Sequence, residues 1–333
     1  DILPLEKHIS NIAVIGPLAD APHEQLGTWV YDGEAKDTHT PLTSLREYLG
    51  KGRVIFEPGL EFSRQKTKEG FKRAVEAAKK ADVVVFFGGE ESILSGEAHS
   101  RADINLPGAQ EELITRISEA GKPLILVIVA GRPITLTNII DKTDAVIMAW
   151  HPGTMGGPAI TDVLFGEASP GGRLPVTWPK AVGQIPIYYN HNNTGRPPKE
   201  ETFIPIDSIP VGIWQTSLDN TSHYRDIGFK PQFPFGYGLT YTRFKYSNLR
   251  LSKGVIRAGE TIEISADIAN VGKKEGTETV QLYIRDLVGD VVRPVKELKG
   301  FMRIHVKPGK KQTVTFSLQT GDLGFYNQRM QFV

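Results

Sequence analysis

The stretch "ADVVVFFGGEESILSGEAHSRAD", Ala81 to Asp103, changes character at its middle. Its first half is continuously apolar from Val83 to Phe87. Such a run is the composition of a strand buried on both faces, and burial of that kind is the habit of parallel sheets. The second half carries Glu90, Glu91, Glu97, His99, Arg101 and Asp103. A buried strand that opens into ionisable residues is either followed by a solvated turn or by a loop in which a carboxylate does chemistry. In open parallel sheets ligands bind beyond the carboxyl ends of the strands, and this loop leaves from such an end. Pattern alone keeps both readings open, because Glu90, Glu91 and Glu97 also make an ordinary solvated rim, with Arg101 and Asp103 a surface pair.

Working outward, similar runs recur as "NIAVIG" from Asn11, "RVIFEPG" from Arg53, "LILVIVAG" from Leu124 and "DAVIMAW" from Asp144. Each is continuous rather than alternating and reads as a doubly buried parallel strand. Between them lie helices. From Lys66 to Ala81, Phe71, Val75 and Ala78 fall on one face; a second helix opens near Pro107, turns Leu113, Ile114 and Ile117 inward and stops at Gly121. Strand, helix and strand in alternation mean an α/β sheet with right-handed crossovers. From about Gly166 the chain becomes dense in Pro, Gly and Asn, the chemistry of a connecting segment. After Phe244 the period drops to two: Ile262, Ile264, Ala266 and Ile268 alternate with polar neighbours, as do Val280, Leu282 and Ile284. These are half-buried antiparallel strands, and a small β-sandwich is their natural closure, ending near its last strand or cut short.

The 333 residues exceed one ordinary core and point to two domains. A formal net charge of +1 gives no electrostatic case for nucleic acid or an anionic membrane, and no run is long and apolar enough to span a bilayer as a helix. Without cysteine there are no disulfides, thiolate metal sites or cysteine nucleophiles, which suits cytoplasm and periplasm alike. The chain starts at Asp1 without an initiator Met or signal peptide, as processing or fragmentation would leave it.

Neither "GPLADAPHEQLG" nor "GTMGGPA" has the spacing of a dinucleotide turn or the Lys of a P-loop. The histidines do not fall at metal-ligand spacing, and no G-x-S-x-G elbow is present. Ser95, His99 and Asp103 share a loop, but triad members come from distant segments. That leaves the carboxylates. Glycoside hydrolysis uses two of them, one donating a proton to the leaving oxygen and one attacking or activating water. The loop offers one; spacing identifies no second.

In order along the chain stand "IAVIGPLAD" with "LGTW", then "SGEAHSR", "LVIVAGRPI", "AWHPGTMGGPAITDVLFGEASPGGRLPVTWP", "PFGYGLTYTRF" and "NVGKKEGTETVQLYIRD". Together these resemble glycoside hydrolase family 3, especially its bacterial β-glucosidases. The resemblance implies a six-stranded, mostly parallel α/β sandwich over residues 11–185, a connecting segment over 186–243 and a fibronectin type III-like domain over 244–333. Residues 1–10 look like the linker from an N-terminal (β/α)8 barrel that is absent here. That barrel is the expected partner and would carry the nucleophilic aspartate. By resemblance the acid/base maps to Glu97, with Glu91 and Glu90 as rivals; Ser95, His99 and Arg101 would adjoin the substrate or pack the loop.

The implied activity is retaining, exo-acting hydrolysis of terminal β-glucosyl residues from β-linked oligosaccharides or aryl glucosides. No cofactor and no metal is expected, the chain alone is expected to be inactive, and a homodimer is compatible. Periplasmic or secreted location follows from the resemblance alone. β-Xylosidase or exo-β-glucanase activity is the alternative within the family. A non-catalytic carbohydrate-binding or scaffold module is the alternative of another class.

Overall fold

The computed structural model describes residues 2–215 and 220–333. It divides into two compact units, residues 1–168 with 179–185 and residues 169–178 with 186–333.

The first unit is α/β. Its elements are β1 (Ile12–Ile15), α1 (Pro22–Leu26), α2 (Pro41–Leu49), β2 (Val54–Glu57), α3 (Phe71–Lys80), β3 (Val83–Gly89), α4 (Gln110–Ser118), β4 (Leu124–Val129), β5 (Ala145–Trp150) and α5 (Gly156–Phe165). The strands form one parallel sheet in the order β2-β1-β3-β4-β5. Every residue of β1, β3 and β4 is buried, as continuous apolar runs demand. The expectation of double burial fails for β2 and β5. They are the sheet's edges, so β5 is half-buried throughout and β2 past Val54.

One core joins Val14, Val85, Phe87, Val127 and Val129 of the sheet to Leu42, Leu45, Ile160 and Leu164 of α2 and α5. On α3 the buried stripe is Phe71, Ala74, Ala77 and Ala78; Val75 lies at its rim, one helical position off the predicted face. The helix α4 buries Leu113, Ile114 and Ile117 as expected. Its Gln110 replaces a missing piece of backbone pairing. The side-chain oxygen accepts from Gly89 N–H at 2.9 Å and the amide donates to Gly89 O at 2.8 Å, so a buried strand end is satisfied by one side chain.

The sheet has five strands among the described residues where six are implied by resemblance. The segment that follows α5, "LPVTWP", pairs instead within the second unit, where Leu174 N donates to Tyr237 O and Trp178 N to Phe233 O, each at 2.9 Å. Pro175 and Pro179 have no N–H to donate, so this segment cannot sustain a ladder and makes an isolated bridge at Trp178.

The second unit contains β6 (Phe244–Leu251), β7 (Thr261–Asn270), β8 (Gly276–Ile284), β9 (Glu297–Val306) and β10 (Lys311–Gln319). They make two antiparallel sheets, β10-β7-β6 and β8-β9, around Ile268, Val280, Ile304, Val306 and Val314. One carboxylate breaks the alternation. Asp267 on β7 is almost fully buried and accepts from Asn248 Nδ2 at 2.9 Å, Thr313 Oγ1 at 2.7 Å and Lys311 Nζ at 3.0 Å. Those hydrogen bonds, that from Asn248 first, hold its carboxyl well below the usual range.

A depressed carboxyl contributes stability that is fully present above its unfolded value, near 3.9, and lost as pH falls through the folded one. Asp267→Asn should therefore be less stable than the parent at pH 7, and the difference should shrink as pH drops below about 4. Urea titrations of both proteins across that window check it. A difference that is constant with pH contradicts the assignment.

Candidate active site

In a sheet of order 2-1-3-4-5 the crevice for ligands opens at the carboxyl ends of the first and third strands, where the order reverses. Two segments leave those ends here. After β1 the chain runs through α1 to Gly27, Thr28 and Trp29; after β3 it runs from Glu90 to Asn105. They are tied together. The Thr28 hydroxyl donates to Ser95 O at 2.7 Å and also lies on Ser92 O, and the Ser92 N–H donates to Glu24 Oε2 at 2.6 Å. Trp29 is 62% and Tyr31 91% exposed, so aromatic faces stand free just beyond the Thr28 tether.

The three glutamates of the loop have different surroundings. Glu90, at the end of β3, is 0% exposed. Its Oε1 accepts from Arg101 NH1 at 2.5 Å and its Oε2 from Arg132 Nε at 3.0 Å. Glu91 is held by a two-point fork, Arg64 Nε to Oε2 at 3.0 Å and NH2 to Oε1 at 2.9 Å, with its side chain 12% exposed. Glu97 is exposed. It sits at the loop's apex between Gly96, at φ +120°, and Ala98, at φ +61°. Left-handed backbone at Ala98 costs about 1 kcal/mol and persists where its surroundings enforce it.

Of the other residues singled out in the sequence, Ser95 is half-buried on the Thr28 tether and His99 is exposed. Arg101 turns inward to Glu90 and donates to Asn105 O at 3.0 Å, so it is not the surface partner of Asp103. Asp103 instead accepts from Asn105 N at 2.9 Å.

Sequence reading passed over two residues at the ends of the next strands. Arg132 follows β4 and His151 follows β5; the rule that sites lie beyond strand carboxyl ends was the signal for both. The His151 ring is seated between two glycines. A Cβ on Gly27 would stand 2.7 Å from Nδ1, and one on Gly131 would stand 3.1 Å from Cε1 and 1.9 Å from Ser95 Oγ. Its Nε2 is buried without a hydrogen-bond partner among the described residues.

Burial pushes the His151 imidazole below its ordinary range, while Glu90 and Glu24 pull it partly back. A histidine depressed in the folded state contributes stability above its unfolded value, near 6.5, and loses it as pH falls through the folded value. His151→Phe should remove that acid-side loss. Thermal midpoints of both proteins between pH 7.5 and about 5 test this: parallel curves refute it.

Residues 1–241 match the model of the glycosyl hydrolase family 3 C-terminal domain, and residues 278–333 that of the fibronectin type III-like domain. The periplasmic β-glucosidase of Salmonella typhimurium is 38% identical over 100% of this chain, which covers 44% of that protein. A β-xylosidase of Formosa agariphila is 36% identical, with the same coverages. The crystal structure of a β-glucosidase from Listeria innocua in complex with isofagomine superposes with a TM-score of 0.88 at 36% identity, covering 100% of this chain and 44% of that one. The chain thus spans less than half the length of these relatives. No helix among the described residues is long and apolar enough to cross a membrane. With more than two thirds of its length matched to one family model, the chain belongs to glycosyl hydrolase family 3.

Proposed function

We propose that this chain supplies the general acid/base of a retaining, exo-acting β-glucosidase, exported to the periplasm or beyond the cell, and that Glu97 is that residue. A single contrast carries the assignment: Glu90 and Glu91 are each engaged by arginine, whereas Glu97 stands exposed at the apex of a loop at the reversal point of the sheet. A wholly buried carboxylate sealed between two guanidiniums cannot reach a substrate. The exposed one can approach a glycosidic oxygen.

The nucleophile would come from an N-terminal (β/α)8 barrel in the same enzyme. Glu97 would protonate the leaving oxygen as the nucleophile attacks the anomeric carbon, then take a proton from the water that hydrolyses the glycosyl-enzyme. In the sugar-bound state the two carboxyl groups should stand about 5–5.5 Å apart. No cofactor takes part. The isolated chain is expected to be inactive.

The test is proton NMR of hydrolysis by this chain joined to its barrel. Early release of β-glucose from the non-reducing end of cello-oligosaccharides supports retention and exo action; α-glucose first, or internal cleavage, refutes it. The β-xylosidase relative at 36% identity over the whole chain supports a second reading, xylosidase activity, because sugar choice would be made in the barrel. Parallel kcat/KM values on aryl glucoside and aryl xyloside decide between them.

A further inference from the structure

The loop from Glu90 to Asn105 would flex freely if only its ends were held, and an acid/base at its apex would be imprecise. The structure shows how it is held. Glu90 is wholly buried, and each oxygen takes one guanidinium. Arg132 reaches across the loop: its NH2 donates to Leu94 O, on one limb, and to His99 O, on the other, at 2.9 Å in the latter case. Arg101 lies on the returning limb and donates to Asn105 O, four residues further on, which fixes the turn of that limb. Two forks therefore close around one buried carboxylate, and both limbs of the loop are bonded to them.

Desolvation offsets most of the Coulomb gain of a buried ion pair, so such a cluster adds little net stability. What it can add is register, because the charges are satisfied in one loop arrangement and costly in any other. The guanidiniums are 18–20% exposed on their side chains and the carboxylate not at all, so the cluster lies beneath the loop rather than in the crevice.

We infer that Glu90, Arg132 and Arg101 are positioning residues, which fix the apex carrying Glu97 relative to the carboxyl ends of β3 and β4. The inference rests on the acid/base reading of Glu97. Misplacing a catalytic group by 1 Å costs on the order of 100-fold in rate. Loosening the anchor should act on proton transfer and spare sugar binding.

The experiment uses the enzyme that joins this chain to its barrel. Glu90→Gln keeps the shape but sets an amide N–H against a guanidinium. It should lower kcat on cellobiose by about 100-fold with KM within about twofold, and spare kcat/KM on 2,4-dinitrophenyl glucoside, whose departure needs no acid. In a Glu97→Ala background Glu90→Gln should cost nothing more on cellobiose. Should Glu90→Gln fold poorly, Arg132→Lys keeps the charge but not the fork and should lose about tenfold with the same substrate split. Hydrogen exchange over residues 94–103 should quicken in both variants while β3 and β4 stay protected.

Losses that multiply in the double variant, or that fall equally on both substrates, mean a merely structural role and overturn the inference. So does unchanged exchange in the loop. Full activity of Glu97→Ala refutes the acid/base reading and the catalytic half of this one, whereas the exchange measurement decides the anchoring independently.

Discussion

Glu97→Ala is expected to cut kcat/KM on cellobiose and alkyl glucosides by about 10²–10⁴, the ordinary worth of a positioned proton donor. On 2,4-dinitrophenyl glucoside kcat/KM should stay within about tenfold, because that leaving group departs as a stable anion without a proton. Its kcat should still fall, since the second step loses the base that activates water. The glycosyl-enzyme then accumulates, and KM drops with kcat. The same substitution at Glu91 predicts a different pattern. Glu91 is occupied by Arg64, so its loss should shift stability modestly and affect both substrate classes alike.

The largest effect on the fold is expected at Gly89, one residue before the buried Glu90. Its φ is +137°, and a Cβ there would stand 1.9 Å from Val129 O and 2.7 Å from Val129 C. Those atoms are backbone of the neighbouring strand, so no rotamer change relieves the clash. Gly89 N–H and O are both bonded to Gln110, and β3 is the middle strand of the sheet. Moving this residue would break both Gln110 bonds and its pairing with Val129 of β4.

Gly89→Ala should cost more than about 4 kcal/mol, a large share of the 5–15 kcal/mol typical of a domain, and leave little soluble protein. Gly52→Ala serves as the contrast. Nothing lies within 4 Å of its Cβ position, so it should remain within about 0.5 kcal/mol of the parent in urea unfolding. Similar losses for the two would mean that the close approach at Gly89 is not what sets its stability.

The sheet was legible in the sequence because β-branched and aromatic runs with helical periods between them leave few topologies, and β3 and β4 are buried as their composition requires. Edge placement was not. The run that forms β5 reads like that of β4, and only the strand order leaves it half-buried. Among the described residues the sixth strand implied by resemblance is absent, because prolines bracket the segment and pairing elsewhere takes it. At the candidate site the sequence put the ionisable loop at a strand's carboxyl end, and the structure bears out that placement. The different surroundings of its glutamates were hidden, because they depend on Arg64 and Arg132, which lie 27 residues before Glu91 and 42 after Glu90. Local spacing carries no information about such partners. His151 was equally silent, as its seat consists of two glycines whose missing side chains make room for the ring.

The central claim is that Glu97 moves the proton, and the most direct measurement is product analysis of Glu97→Ala, in the enzyme joined to its barrel, turning over 2,4-dinitrophenyl glucoside in azide. Azide needs no general base and should enter the vacated space, so kcat should recover by about 10-fold or more and β-glucosyl azide should appear as the product. Turnover without recovery, with glucose as the product and equal losses on activated and unactivated substrates, would contradict the claim and move the role to another residue.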